Sequence, residues 1–351
     1  MSEEQRVRVR GLGVEIGRYE PGPLNAITDI EGVRVGHVTC VEGDRVRTGA
    51  TVIIPHGGNV FADKVPAGFA VYNGFGKFAG STQIIELGEI ETPIVLTNTL
   101  AVGRAIEAVN QHVLQIPGNH KIVSLNAVVG ETNDGRLNDI RGARPTIDEI
   151  RLAIETAHSG PVEEGAVGAG TGTVAFGLKG GIGTSSRQVN ILGNTYVAGV
   201  LVQSNYGGTL AIAGRTYHTE PIADKDGSIV IIVATDAPLC SRNLTRLAQR
   251  CFGGLAKTGA ALSNGSGDYA LALSTAEPVR RTAERRRGLA TYACLSNEAV
   301  SPLFEAVIEA TEEAILNSLT MAKTTKGFNA VTGRNSTVPA ISLEYVKRLF
   351  A

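Results

Sequence analysis

The chain has 351 residues, 43% apolar and 19% charged, with a formal net charge of -1. That balance can bury a sizeable core and excludes a disordered chain, and with no basic block it argues against nucleic acid or an anionic membrane surface as a partner. Glycine is abundant at 43 residues, tryptophan is absent and aromatics make up only 5%, so the core must be aliphatic and closely spaced, with many tight turns.

Taken in order, the chain begins with a polar, loop-like stretch over residues 1–30 that lacks the apolar centre of a signal peptide. Strands are expected at Gly32–Thr39 and Ala50–Ile54, and a buried one at Thr92–Thr97. A helix follows over Ala101–Leu114, with Ile106, Val109 and Val113 on one face. Residues Ile122–Val129 are apolar enough for a central strand. Thr146-Ile-Asp-Glu149 carries a capping signal for a helix reaching about Ala157. Glycines then crowd residues 165–183, before strands at Tyr196–Val202 and Ser228–Ala234. A helix beginning near Pro238 is expected to end near Leu262, with Asn264 and Gly265 tolerating positive φ. A strand at Tyr269–Thr275, an arginine-rich turn (Arg280–Arg287) and a helix from Ser301 to Met321 complete the series. The irregular order of strands and helices predicts one domain of α+β class built from layered sheets, not a doubly wound sheet.

No apolar run approaches about 18 residues, so no span is expected. Cys40, Cys240, Cys251 and Cys294 are widely separated and contain no C-x-x-C pair. They are expected to be small apolar core residues in a reducing compartment, which makes the chain a soluble cytoplasmic protein.

Four patterns bear on chemistry. Gly168-Ala-Gly-Thr-Gly172 has threonine where a dinucleotide fingerprint needs glycine or alanine, and it lacks the Gly-Lys-Ser/Thr ending of a P-loop. It reads as a close-packed strand turn. The six histidines show no metal spacing. His56-Gly-Gly58 could donate amides to an oxyanion, but a turn after a strand suits it better. The fourth pattern is Asn264-Gly-Ser-Gly-Asp268, between a helix and a strand. If the chain cuts itself between Gly265 and Ser266, the α-amine of Ser266 can act as its own base, because an α-amino group titrates near pH 8. Read by itself, the same segment is also an ordinary surface turn.

That segment resembles the self-processing site of the aminopeptidase/D-amino-acid esterase-amidase family of N-terminal-serine hydrolases, which includes the β-peptidyl aminopeptidases. The resemblance extends through Pro21–His37, Glu131-Thr-Asn-Asp-Gly-Arg-Leu-Asn-Asp139, Gly168–Gly183, Val202-Gln-Ser-Asn-Tyr-Gly207 and Ser336-Thr-Val-Pro-Ala340, in order over almost the whole chain. It implies a four-layer α-β-β-α sandwich of N-terminal-nucleophile-like architecture with distinct connectivity. It also implies cleavage into an α chain (1–265) and a β chain (266–351) that stay intertwined, and a homotetramer of processed protomers. The implied roles are Ser266 as nucleophile, Ser296 and Glu298 relaying and orienting its amine, Asn205 as oxyanion donor, and Glu131 binding the substrate's free amino group. No metal or organic cofactor is implied. Some family members resemble Glu-Thr-Tyr where this chain has Asn133, which leaves α-amino, D-alanine-type and β-amino substrates open. Ornithine-acetyltransferase-like acyl transfer is disfavoured, since that related type uses threonine as nucleophile. A fold that binds small ligands without cutting is the other reading.

Overall fold

The computed structural model describes residues 5–219 and 227–351, so the first four residues of the polar start lie outside it. In chain order the elements of the first half are β1 (Arg34–Glu42), β2 (Val46–Ile54), β3 (Val65–Gly74), β4 (Phe78–Ala79), α1 (Ser81–Leu87), β5 (Glu89–Ile90), β6 (Ile94–Asn98), α2 (Val102–Gln115), β7 (Val128–Thr132) and α3 (Ile147–Glu155). The short strands β8 (Val174–Ala175) and β9 (Leu178–Lys179) precede β10 (Gly181–Ile191), β11 (Asn194–Asn205), β12 (Ala211–Ile212) and β13 (Arg215–Thr216). The chain ends with β14 (Ser228–Thr235), α4 (Ser241–Lys257), β15 (Gly267–Ser274), α5 (Ser301–Thr320), β16 (Thr325–Asn329), β17 (Arg334–Val338) and α6 (Leu343–Phe350).

Two mixed sheets carry the fold, in the orders β1-β2-β6-β7-β4 and β10-β11-β14-β15-β3-β5. Aliphatic side chains from both sheets, among them Ile53, Ile94, Leu96, Leu201, Ile232 and Leu271, meet in one buried cluster. The other face of the larger sheet is covered by Leu244, Leu247, Leu255, Val307 and Ile315 of α4 and α5. Ala105, Val109, Ile150 and Ile154 of α2 and α3 cover the smaller one. Between the sheets the buried amide of Gln203 donates to Thr97 O at 3.1 Å and Ala169 O at 3.0 Å, tying strand β11 to both β6 and the glycine-rich segment.

Most expected elements form. The α3 capping box is present, with Thr146 Oγ accepting from Glu149 N–H and the Glu149 carboxylate accepting from Thr146 N–H. Four expectations are corrected. Residues Ile122–Asn126 form no strand, and Val123 is 99% exposed, because pairing with β6 starts only at Val128. Helix α4 stops at Lys257, and the positive φ falls on Gly259 (+83°) and Leu262 (+49°), not on Asn264 or Gly265. A side chain at Gly259 would collide with Thr209 O, so glycine is required there. Cys294 is exposed, although Cys40 and Cys251 are buried as expected. The N-terminal stretch is less polar in its packing than in its composition: Val9, Leu12, Val14 and Ile16 are buried in the α4–α5 core.

That stretch is fastened by charge. Helix α5 carries Glu309 and Glu313, both buried, and the fully buried Arg187 of β10 lies against them. Its guanidinium donates to Glu313 Oε2 at 2.7 Å, Glu309 Oε2 at 3.3 Å, Ile16 O at 2.9 Å, Ser185 Oγ at 2.9 Å and Ser186 O at 2.8 Å. Arg10 adds a second cation to Glu313 at 2.9 Å. All five donors of Arg187 are used, which is what lets a charge sit in the core. Arg187→Met keeps the bulk and leaves two buried carboxylates short of a cation. We expect it to lower unfolding free energy by about 3–5 kcal/mol, read as a lowered denaturant midpoint at unchanged slope.

Candidate functional site

The site follows from register. Strand β14 runs parallel to β15, while β11 is antiparallel to β14, and β3 to β15. One row across the sheet therefore reads Asn205, Ser228, Gly267, Gly74. Helix α4 carries the chain from the far end of β14 back to this row, so Ser266 arrives at the same edge as Asn205. On the smaller sheet, parallel pairing of β6 with β7 sets Glu131 opposite Thr97, just before Thr99. The two edges enclose a cleft of about 220 Å³ whose lining includes Gly76, Lys77, Glu131, Asn133, Asn205 and Gly265.

Glu131 is buried at the floor of this cleft. Its Oε1 accepts from Lys77 N–H at 2.9 Å and its Oε2 from the Thr99 hydroxyl. Burial pushes the Glu131 carboxyl above the usual carboxylate range, against the opposing pull of these bonds and of the Lys77 cation. Asn205 accepts Val174 N–H on Oδ1 at 2.9 Å, which commits its oxygen to the protein and leaves Nδ2 as the side-chain group available to the cleft. The Val174 segment is itself held by Lys179, buried, whose ammonium donates to Gly170 O, Thr173 O and Gly180 O at 2.7–2.9 Å. Three carbonyls use all three protons of the charged amine, while burial draws its pKa down to about 7. Asn133 is exposed at the cleft wall, its Oδ1 accepting Gly135 N–H at 3.0 Å in an Asx turn.

Ser266 is 2% exposed and sits directly behind Gly265. Its N–H donates to Ser263 O at 3.0 Å, its carbonyl accepts Phe75 N–H at 3.2 Å, and its hydroxyl donates to Asp268 Oδ1 at 2.7 Å. The structure thus places Asn205, Glu131 and Asn133 on one cleft, with Ser266 buried next to Gly265 of its lining. It does not bring Ser296 and Glu298 there. Leu295 N–H bonds Pro238 O, beyond the C-terminal end of β14, whereas Ser266 lies beside that strand's first residue. Eight residues of strand separate the two places, on the order of 20 Å, and both Ser296 and Glu298 are solvent-exposed. They form a surface turn before α5.

The residues that do support the site were not singled out by sequence: Asp268 and Asn73 beside Ser266, Thr99 and Lys77 on Glu131, Val174 on Asn205. Only Asp268 left a trace, two positions from Ser266 and so on the same face of an extended strand.

A model of peptidase family S58 matches residues 25–332. The chain belongs to that family. This S58 chain is accordingly a hydrolase of peptide or amide bonds, and comparison with individual proteins agrees. It is 38% identical to the beta-peptidyl aminopeptidase BapA of Sphingosinicella microcystinivorans, over 93% of this chain and 88% of the other. It superposes on a Burkholderia beta-aminopeptidase at TM-score 0.89, with 36% identity and 98% of each chain covered. The L-aminopeptidase D-Ala-esterase/amidase of Ochrobactrum anthropi, a variant of the Ntn hydrolase fold, matches equally at 0.89, with 34% identity and the same coverage. The S58 chain shares that mixed α/β fold.

Glycine at 76 is demanded by the cleft. A Cβ there would stand 2.7 Å from the Tyr269 ring and 3.3 Å from Glu131 Oε1, and Gly76 N–H bonds the Tyr269 hydroxyl at 2.8 Å. We expect Gly76→Ala to cost about 1–3 kcal/mol from overpacking, measured as a fall in the thermal or denaturant midpoint.

Proposed function

We propose that this S58 chain is a self-activating serine aminopeptidase, also able to act on amides and esters, with Ser266 as nucleophile. The observation that supports the reading is that Gly265, Asn205 and Glu131 line one cleft, with Ser266 buried next to Gly265. A cut between Gly265 and Ser266 frees the serine α-amine and detaches the Gly265 end, which stands between Ser266 and the cleft. The amine then takes the hydroxyl proton as Oγ attacks the substrate carbonyl, and returns it to the leaving amine. Asn205 Nδ2 stabilises the oxyanion, a role typically worth roughly 10²–10³ in rate. The resulting acyl-enzyme on Ser266 is hydrolysed by water. Glu131 anchors the substrate's ammonium group, which restricts attack to the first residue of a chain.

The names of the relatives support α-amino, D-alanine and β-amino substrates alike, and Asn133, a short side chain already engaged in its own turn, leaves room for the longer β-amino backbone. The packing of α4 and α5, two sheets, and α2 and α3 supports reading the layers as an α-β-β-α sandwich. A cytoplasmic location, consistent with the four unpaired cysteines, and a homotetramer of processed protomers complete the proposal.

On a denaturing gel the wild-type chain of 36.7 kDa should run as bands of about 28 and 9 kDa, scaled by residue number, and Ser266→Ala should stay whole. An active protein that remains a single full-length band rules the mechanism out. Glu131→Gln should raise KM far more than it lowers kcat. Because burial raises the Glu131 pKa, the wild-type kcat/KM should decline on acidification at a pH above that of an ordinary glutamate; a flat profile down to the normal glutamate range would contradict the assignment.

A further inference from the structure

The proposed cut has a chemical difficulty that the finished enzyme does not. Before cleavage the nitrogen of Ser266 is an amide, donating its proton to Ser263 O, and an amide nitrogen cannot serve as base. The group that activates the hydroxyl for the first event must therefore be another one, already in place in the continuous chain.

We propose that Asp268 is the base for self-cleavage and that Asn73 is the positioning residue that aims it. This rests on the reading of Ser266 as the processed serine. Asp268 Oδ1 accepts the Ser266 hydroxyl at 2.7 Å, within reach for direct proton transfer. Its second oxygen accepts Asn73 Nδ2 at 2.8 Å, and the same amide group also donates to Leu262 O at 3.2 Å, in the turn that delivers the scissile bond. A β-bulge produces this arrangement. Between the pairs Gly267↔Gly74 and Tyr269↔Val71, β15 advances two residues and β3 three. The extra residue falls at Tyr72–Asn73 and turns the Asn73 side chain onto Asp268. Asp268 is 1% exposed, so its carboxylate is poorly hydrated and is a better proton acceptor than one in water.

The step balances within the chain. Asp268 takes the Oγ proton as Oγ bonds to the Gly265 carbonyl carbon. The tetrahedral intermediate collapses with the carbon–nitrogen bond breaking, and Asp268 returns the proton to the Ser266 nitrogen. The product is an ester between Gly265 and Ser266 Oγ with a free α-amine, and one water hydrolyses it to the Gly265 carboxylate and the free hydroxyl. The amine made in this way is the base for every later turnover.

The test follows conversion of freshly synthesised full-length chain by intact-mass spectrometry, with thermal melting to confirm that each variant is folded. Asp268→Asn should slow conversion by at least about 100-fold, the range of a positioned general base, and Asp268→Glu should recover part of the rate. Asn73→Ala, at a partly exposed strand end, should also slow conversion while leaving the fold intact. A folded Asp268→Asn chain that converts at the wild-type rate overturns the inference while the Ser266 reading survives. Should Asp268→Asn not fold, a folded Asn73→Ala chain converting at the wild-type rate overturns it equally. A wild-type chain never cut between residues 265 and 266 fails the underlying reading instead.

Discussion

The parallel pairing of β14 with β15 is the constraint on which the site depends. Parallel neighbours require a crossover, here α4, that returns the chain to the end of the sheet where the first strand began. Ser228 and Gly267 must then lie side by side, and the antiparallel β11 must bring Asn205 to the same row. Ser228 and Asn205, 39 and 62 residues before Gly267 in sequence, are brought into its row by backbone hydrogen bonds alone. The carboxylate of Glu131 reaches the same place from the other sheet, where β6 and β7 are likewise parallel. Two crossovers, one in each sheet, define the two walls of a single cleft.

Local patterns were readable wherever local physics decides. The capped helix at Thr146, the apolar strands at Ile94, Ser228 and Tyr269, and the long α5 all stand close to where periodicity puts them. Strand β3 was hidden by Pro66, Gly68 and Gly74, residues that read as turns, yet it borders β15. Strand β10 was hidden by its glycines, which sit where α5 and the glycine-rich segment press against the backbone. Tertiary contact, not propensity, selects both. Of the candidate site, Asn205, Glu131 and the Gly265–Ser266 segment come to one end of the sheets because register determines their positions. Ser296 and Glu298 do not join them, because the loop after β15 leads to the opposite edge. The Asp268–Asn73 pair depends on a one-residue bulge, a feature with no sequence signature of its own.

Buried charge does a different job from the cleft. Arg187, Glu309, Glu313 and Arg10 fasten a segment of low regularity to the helix that covers the larger sheet. Apolar contacts from Val9 to Ile16 alone would fix neither its path nor its register, whereas directional bonds to Ile16 O and to the backbone N–H groups of Arg18 and Tyr19 specify both. Lys179 acts similarly, fixing the irregular backbone behind Asn205 by three carbonyl bonds. In each case a cation replaces the hydrogen-bond ladder that the local chain lacks.

Strand β15 lies inside the six-stranded sheet, flanked by β14 on one side and β3 on the other. Severing the chain just before it changes the order of the folding reaction. The intact chain finds its structure by a unimolecular search, with β15 tethered to α4 by a few residues. Once divided, the unfolded state is two molecules, and reassembly depends on their concentration through mass action. A central strand must then be threaded back between two partners that have meanwhile been free to pair with each other. The native state of a divided molecule would be held by the slowness of its loss more than by the ease of its recovery, and a single thermal excursion would be final.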